Sequence, residues 1–163
     1  MRDLCSMNSA ELQAKVEAKL EAIGVQAEDA RTGDDGQWML LRNETPIYID
    51  AWEDRESTPW NYFVFQQDPS VFQITVPFCY GPTLKRAELL EELLVVNLNL
   101  LNAKFSYNSN DNVVVLSCRV SGTGLDALDL AQTIDGLCYY SEMAYHVLKD
   151  EFNLKRVISS DAV

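Results

Sequence analysis

Basic residues are scarce in this chain, 13 Lys and Arg against 25 Asp and Glu, for a formal net charge of −12. Neutralising phosphates requires clustered Lys and Arg, so the balance argues against a nucleic-acid partner, and an anionic membrane surface is disfavoured for the same reason. Histidine occurs once, as His146, which excludes a histidine-based metal site by count. On the last predicted helix His146 falls near the polar side, and no acid, base or nucleophile is positioned for it to work with. The four cysteines, at 5, 79, 118 and 138, lack CxxC spacing. Cys118 and Cys138 fall on predicted apolar faces, where a free thiol behaves as a small hydrophobe. A reducing, cytoplasmic setting without structural disulfides is the expectation. Long uninterrupted apolar runs are missing as well. Residues 1–20 do not have the apolar core of a signal peptide, and no window reaches the length of a membrane span.

Motifs that carry chemistry are equally thin. Gly81-Pro82 and Gly122-Thr123-Gly124 match neither a P-loop nor a dinucleotide fingerprint. Asp34-Asp35-Gly36 and the run Asn108 to Asn112 lack the alternating ligands and terminal Glu of a calcium loop, so turn chemistry accounts for both. Glu91 and Glu92 are adjacent on a helix and do not face one another. No catalytic residue, metal ligand or cofactor is expected, and the chain is read as a non-enzyme.

What is present is a core. With 163 residues, 47% of them hydrophobic, the chain is long enough for one domain over residues 1–163, with flexible ends at about 1–8 and 153–163. The stretch from Leu84 to Val120 is the most informative part. On a wheel of 100° per residue, Lys85, Glu88, Glu91, Glu92, Asn99 and Asn102 share one polar arc. The remaining arc is apolar over about twice the width of an ordinary surface stripe. It divides into a sector with Leu89, Leu93, Val96 and Leu100 and another with Ala87, Leu90, Leu94, Leu98 and Leu101. One sector can meet a sheet, and the other needs a second helix or a second copy of the chain. Asn97 lies between them. Either its amide caps a neighbouring backbone group, or it sets the register of a helix pair.

Around this helix the pattern predicts further elements. A first helix runs from Ser9 as N-cap to Gly24, with a narrow stripe of Leu12, Val16, Leu20 and Ile23. Four extended segments follow, at Trp38–Arg42, Pro46–Trp52, Trp60–Gln66 and Val71–Phe78. In the last, Phe72, Ile74, Val76 and Phe78 point one way and Gln73 and Thr75 the other, while Pro77 suggests an edge or a strand end. Thr83 is the expected N-cap of the long helix. A hairpin of Ala103–Tyr107 and Val113–Val120 comes next, then a third helix from Leu125 to about Glu151. Helix, meander, helix, hairpin, helix is α+β, an antiparallel sheet with helices segregated to one side.

Ten of the sixteen aromatic residues lie between Trp38 and Tyr80, including Trp60, Tyr62, Phe63 and Phe65. Both faces of that strand are apolar, so either both are covered or one is presented to a partner. The acid excess is concentrated nearby, with fourteen acidic against six basic residues in the first seventy. That excess favours solubility, and it also guards a sticky surface against wrong partners.

The element order, with the segment LLEELLVVNLNLLNAKFSY and the strand VVVLSCRV, resembles the superfamily of YbjN and type III secretion chaperone-like proteins. A cyanobacterial branch of that superfamily fits the same pattern. The resemblance covers nearly the whole chain, and its motifs are structural rather than catalytic. It implies a small, acidic, cytoplasmic homodimer without enzymatic activity. It maps the dimer interface to Leu89, Leu93, Val96, Asn97 and Leu100. It maps the surface for a protein or peptide client to Leu12, Val16, Leu20, Trp52 and Trp60. The chain departs from the chaperone pattern in having four extended segments before the middle helix instead of three. Two functions remain in view: a homodimeric protein-binding module acting as chaperone, adaptor or regulator, and a regulatory domain with a small-molecule pocket lined by Trp38, Tyr48 and Phe63. A continuous exposed apolar patch would favour the first, a closed apolar cavity the second.

Overall fold

The computed structural model describes residues 8–53 and 69–157. The expected strand Trp60–Gln66, and with it Trp60 and Phe63, lies outside them.

The first helix, α1 (Ser9–Ala22), starts one residue earlier than expected because Asn8 is its N-cap. The Asn8 side chain accepts from the Glu11 backbone N–H and the Glu11 carboxylate accepts from the Asn8 N–H, a complete capping box. Gly24 ends the helix at φ +85°. Its N–H reaches Glu21 O and that of Val25 reaches Leu20 O, the paired bonds of a Schellman motif. A single turn, α2 (Ala27–Ala30), follows and packs on α1.

Strand β1 (Gln37–Arg42) and strand β2 (Thr45–Glu53) are joined by Asn43 and Glu44, both at positive φ. Two such residues match the right-handed twist of the flanking strands, as a type I′ turn does. Strand β3 (Ser70–Tyr80) alternates as expected, with Phe72, Ile74, Val76 and Phe78 buried. The five-stranded antiparallel sheet has the order β1-β2-β3-β5-β4. Pro77 therefore lies inside a central strand and not at an edge, three residues before that strand ends.

Helix α3 (Arg86–Asn97) is shorter than the apolar run that announced it. Its N-cap is Lys85 at φ +57°, not Thr83, and no side chain caps it. Strand β4 (Lys104–Asn108) and strand β5 (Val113–Ser121) form the hairpin, in register from Lys104 opposite Ser117 to Asn108 opposite Val113. Helix α4 (Leu130–Phe152) begins five residues later than expected. A 3-10 turn at Gly124–Ala127 precedes it, and Leu128 is extended with its carbonyl taken by the Lys19 ammonium at 2.8 Å, which breaks the helical run.

The chain divides into two compact units, one of residues 1–39, 48–73 and 119–131, the other of 40–47, 74–118 and 132–163. Each takes part of β1, β2, β3 and β5. In the first, Leu12, Val16, Leu20, Trp38, Ile49 and Phe72 are fully buried, and α1 is tied down by the Lys15–Asp126 ion pair at 2.8 Å. In the second, Ile74, Phe78, Leu89, Phe105, Leu116 and Leu137 form the core, with the Phe78 ring edge-on to Phe105 at 5.0 Å.

The segment that follows α4 is better held than the sequence suggested. Leu154 is buried, its N–H reaches Lys149 O, and its carbonyl accepts from the Tyr145 hydroxyl at 3.3 Å. Lys155 O accepts from the Tyr80 N–H at 3.0 Å, so residues 153–156 are an anchored segment and not a loose tail.

Candidate functional site

Helix α3 presents two different faces. Leu89 and Leu93, one turn apart, are buried at 0% and 2% exposure, and the helix packs on β4. On the outer side Leu94 is 65% exposed, Val95 56%, Leu98 84% and Leu101 80%, with Leu84 bare just before the helix. Glu88, Glu91 and Glu92 are exposed alongside them. Four large aliphatic side chains in eight residues, all open to water, are an unpartnered apolar strip with an acidic border.

Asn97 lies one further turn along from Leu93, on the side that meets the sheet. Its amide NH2 donates to Phe105 O at 3.1 Å and its amide oxygen accepts from the Phe105 N–H at 2.7 Å. Strand β4 is at the edge of the sheet. The side chain thus supplies both bonds that a neighbouring strand would make at Phe105, and closes the edge there. Between the helix and this strand runs an apolar groove of about 220 Å³, lined by Leu90, Leu93, Leu94, Phe105, Tyr107 and Val114. Its floor is fixed at the hairpin end. Asn112 Nδ2 donates to Gly81 O, the Gly81 N–H donates to Asn112 O at 2.7 Å, and the Tyr107 hydroxyl donates to Asn112 Oδ1 at 2.9 Å. A side chain at Gly81 would collide with that amide.

With this geometry in hand the chain can be compared with known proteins. No protein-family model matches it, and no curated protein matches it by sequence. Among solved structures, a chain of the crystal structure of the ExsC–ExsE complex superimposes with a TM-score of 0.57 at 12% sequence identity, over 86% of this chain and 95% of that one. The fold is secretion-chaperone-like. At this identity the likeness speaks for the fold alone, as the structural motifs of the sequence did.

Within the chaperone-like fold the residues singled out from sequence fall in separate places. Leu89 and Leu93, assigned by the resemblance to a dimer interface, are buried within the chain, whereas Leu94, Leu98 and Leu101 of the other sector are exposed. The reason is the Leu89, Leu93, Asn97 spacing of four, which puts both leucines on the side where Asn97 meets β4. Val96 and Leu100 are half-buried, and Leu100 lies past the helix end. Leu12, Val16 and Leu20, assigned by the resemblance to a client surface, are fully buried. Trp52 is half-buried under the Arg119 guanidinium, 5.0 Å from the ring centroid. Trp38 is core, with its indole N–H buried without a partner and the Arg31 guanidinium 5.5 Å from its ring.

Among the described residues, titratable groups do not converge on a reaction centre. His146 is exposed and pairs with Glu142 at 2.9 Å. The Arg156 guanidinium also binds Glu142, and that hydrogen bond chiefly holds the carboxyl below its ordinary range. Burial pushes the Asp50 carboxyl up against a Gln37 hydrogen bond that opposes it, and pushes the Cys79 thiol up to about 12. A thiol in that state is not a nucleophile. Among the described residues no three His, Cys, Asp or Glu side chains are placed to hold a metal ion, and no helix is long and apolar enough to cross a membrane.

Proposed function

We propose that this chain is a non-enzymatic, cytoplasmic protein-binding module that pairs with a second copy of itself through the outer face of α3 and serves as a chaperone, adaptor or regulator for a client protein. The exposed strip of Leu94, Val95, Leu98 and Leu101 carries the reading. A strip of this kind, along the end of a helix and the turn that follows it, can be self-complementary about a two-fold axis, which makes a second copy its simplest occupant. The half-buried Val96 and Leu100 complete its margin, while Leu89, Leu93 and Asn97 hold the helix against β4 from behind. A similar solved structure is that of a complex, ExsC with ExsE, which supports a protein as the client.

Client capture through Leu12, Val16 and Leu20 requires α1 to lift, breaking the Lys15–Asp126 pair and the Lys19 bond to Leu128 O. The small-molecule reading is the weaker one, since Trp38 is fully buried and the groove beside α3 opens to solvent. Leu98→Glu tests the dimer. It places a charge on an exposed residue of the strip, so the fold should survive with unchanged far-UV circular dichroism. Light scattering should then report half the wild-type mass, and a mass equal to that of the wild type would sink the proposal.

A further inference from the structure

Helix α4 carries a second exposed apolar face that the described residues leave uncovered. Tyr139 is 61% exposed, Met143 48% and Val147 71%, and their spacing of four puts them on one side of the helix. Ile134, Leu137, Ser141 and Leu148 are buried on the other side. The Tyr139 ring lies edge-on to Tyr140 at 5.8 Å, and Tyr140 lines a groove of about 310 Å³ that Leu101 also lines. The α4 face therefore runs across this groove into the strip of Leu94, Leu98 and Leu101. No charged residue lines the groove. The acids of α4 that flank the face, Asp135 and Glu142, are paired with Arg42 and with Arg156.

We infer that the second copy seats on both helices, covering Tyr139, Met143 and Val147 of α4 together with the Leu94 to Leu101 strip, so that the pairing surface is centred on the groove between them and not on α3. Area argues for the added face. A stable interface takes roughly 20–30 residues from each side and buries about 800 Å² per partner, more than the end of one helix and its turn supply. Charge argues for where the axis lies. A two-fold contact sets every residue near the axis against its own copy. Pairing centred on the middle of α3 would bring together the exposed Glu88, Glu91 and Glu92 of both copies, and like charges oppose that. Around the groove the penalty is absent. A client of different sequence could answer the acidic half of α3 with basic residues, whereas an uncharged face needs an uncharged counterpart, and the chain's own face is one. Tyrosine and methionine are also the residue types enriched in the cores of interfaces. The inference rests on the self-pairing reading above and adds a surface that reading does not contain.

The test follows the full chain by sedimentation equilibrium. Met143→Glu and Val147→Lys put charges of opposite sign on exposed residues of the α4 face, so the far-UV circular dichroism of both should match the wild type. Both should weaken self-association roughly tenfold or more. Weakening by the glutamate and strengthening by the lysine would assign the effect to the net charge of the chain, and that overturns the inference. So would association as tight as in the wild type for both. Lysine near the end of a helix favours the helix, so Val147→Lys decides the matter if Met143→Glu does not fold. The comparison with Leu98→Glu keeps the two proposals apart. Dissociation by Leu98→Glu together with intact pairing of the α4 variants would sink this inference and leave the α3 reading standing, whereas a monomeric wild type would sink the α3 reading and this one with it.

Discussion

Asn97 shows how much one side chain decides. The sequence left two roles open for it, a backbone cap or a register pin between helices, and the structure has it bonded to both backbone groups of Phe105. Nothing in the local pattern could separate these roles, because the direction in which an edge strand turns its N–H and C=O is a property of the sheet. Asn97→Ala removes both bonds and leaves two polar groups at a part-buried site. It should destabilise the chain by about 1–3 kcal/mol, read as a lower urea midpoint with an unchanged slope. A loss below a few tenths would mean that water replaces the amide without penalty.

At the scale of elements, the apolar sectors of α3 were legible and their assignment was not. Periodicity reports that two faces need cover, but it carries no label for which cover is the chain's own sheet. The helix also stops at Asn97 and not near Asn102, since Asn99 and Asn102 are poor helix formers and Asn102 adopts φ +57° on the way into β4. The start of α4 was misjudged because Lys19, more than a hundred residues away, takes the carbonyl of Leu128. The far end of α4 supports a pH prediction. Glu142 joins His146 and Arg156, and Arg156 lies over the Tyr145 ring at 4.0 Å, so this carboxylate helps to hold the anchored segment. Its folded-state pKa is depressed, so its stabilisation is complete above the unfolded value of about 4.3 and is lost as pH falls through the folded value. Glu142→Gln should lower the melting midpoint slightly at pH 7, the effect being small because the group is half exposed. The gap from wild type should close below about pH 4. A gap that persists at pH 3 would assign the effect to packing and not to charge.

At the scale of the whole molecule, the α+β class and the chaperone-like element order were both readable, since they follow from the alternation in β3, the hairpin signals around Asn108 to Asn112 and the stripe of α4. The clasp between Gly81 and Asn112 adds something the finished architecture does not display, an order in time. It joins residues 31 positions apart and encloses α3 and β4, with the Asn97 to Phe105 bonds inside it. The ties of α1, Lys15 to Asp126 and Lys19 to Leu128, span 111 and 109 positions. Closing the longer loops costs roughly 1 kcal/mol more in chain entropy, and the shorter loop has its hairpin register to gain as it closes. Residues 81–117 should therefore acquire amide protection first when the chain refolds, and α1 should dock last, as pulsed hydrogen exchange would read out. During synthesis the same order would leave the first helix waiting, already made and capped, for a carbonyl that has not yet emerged.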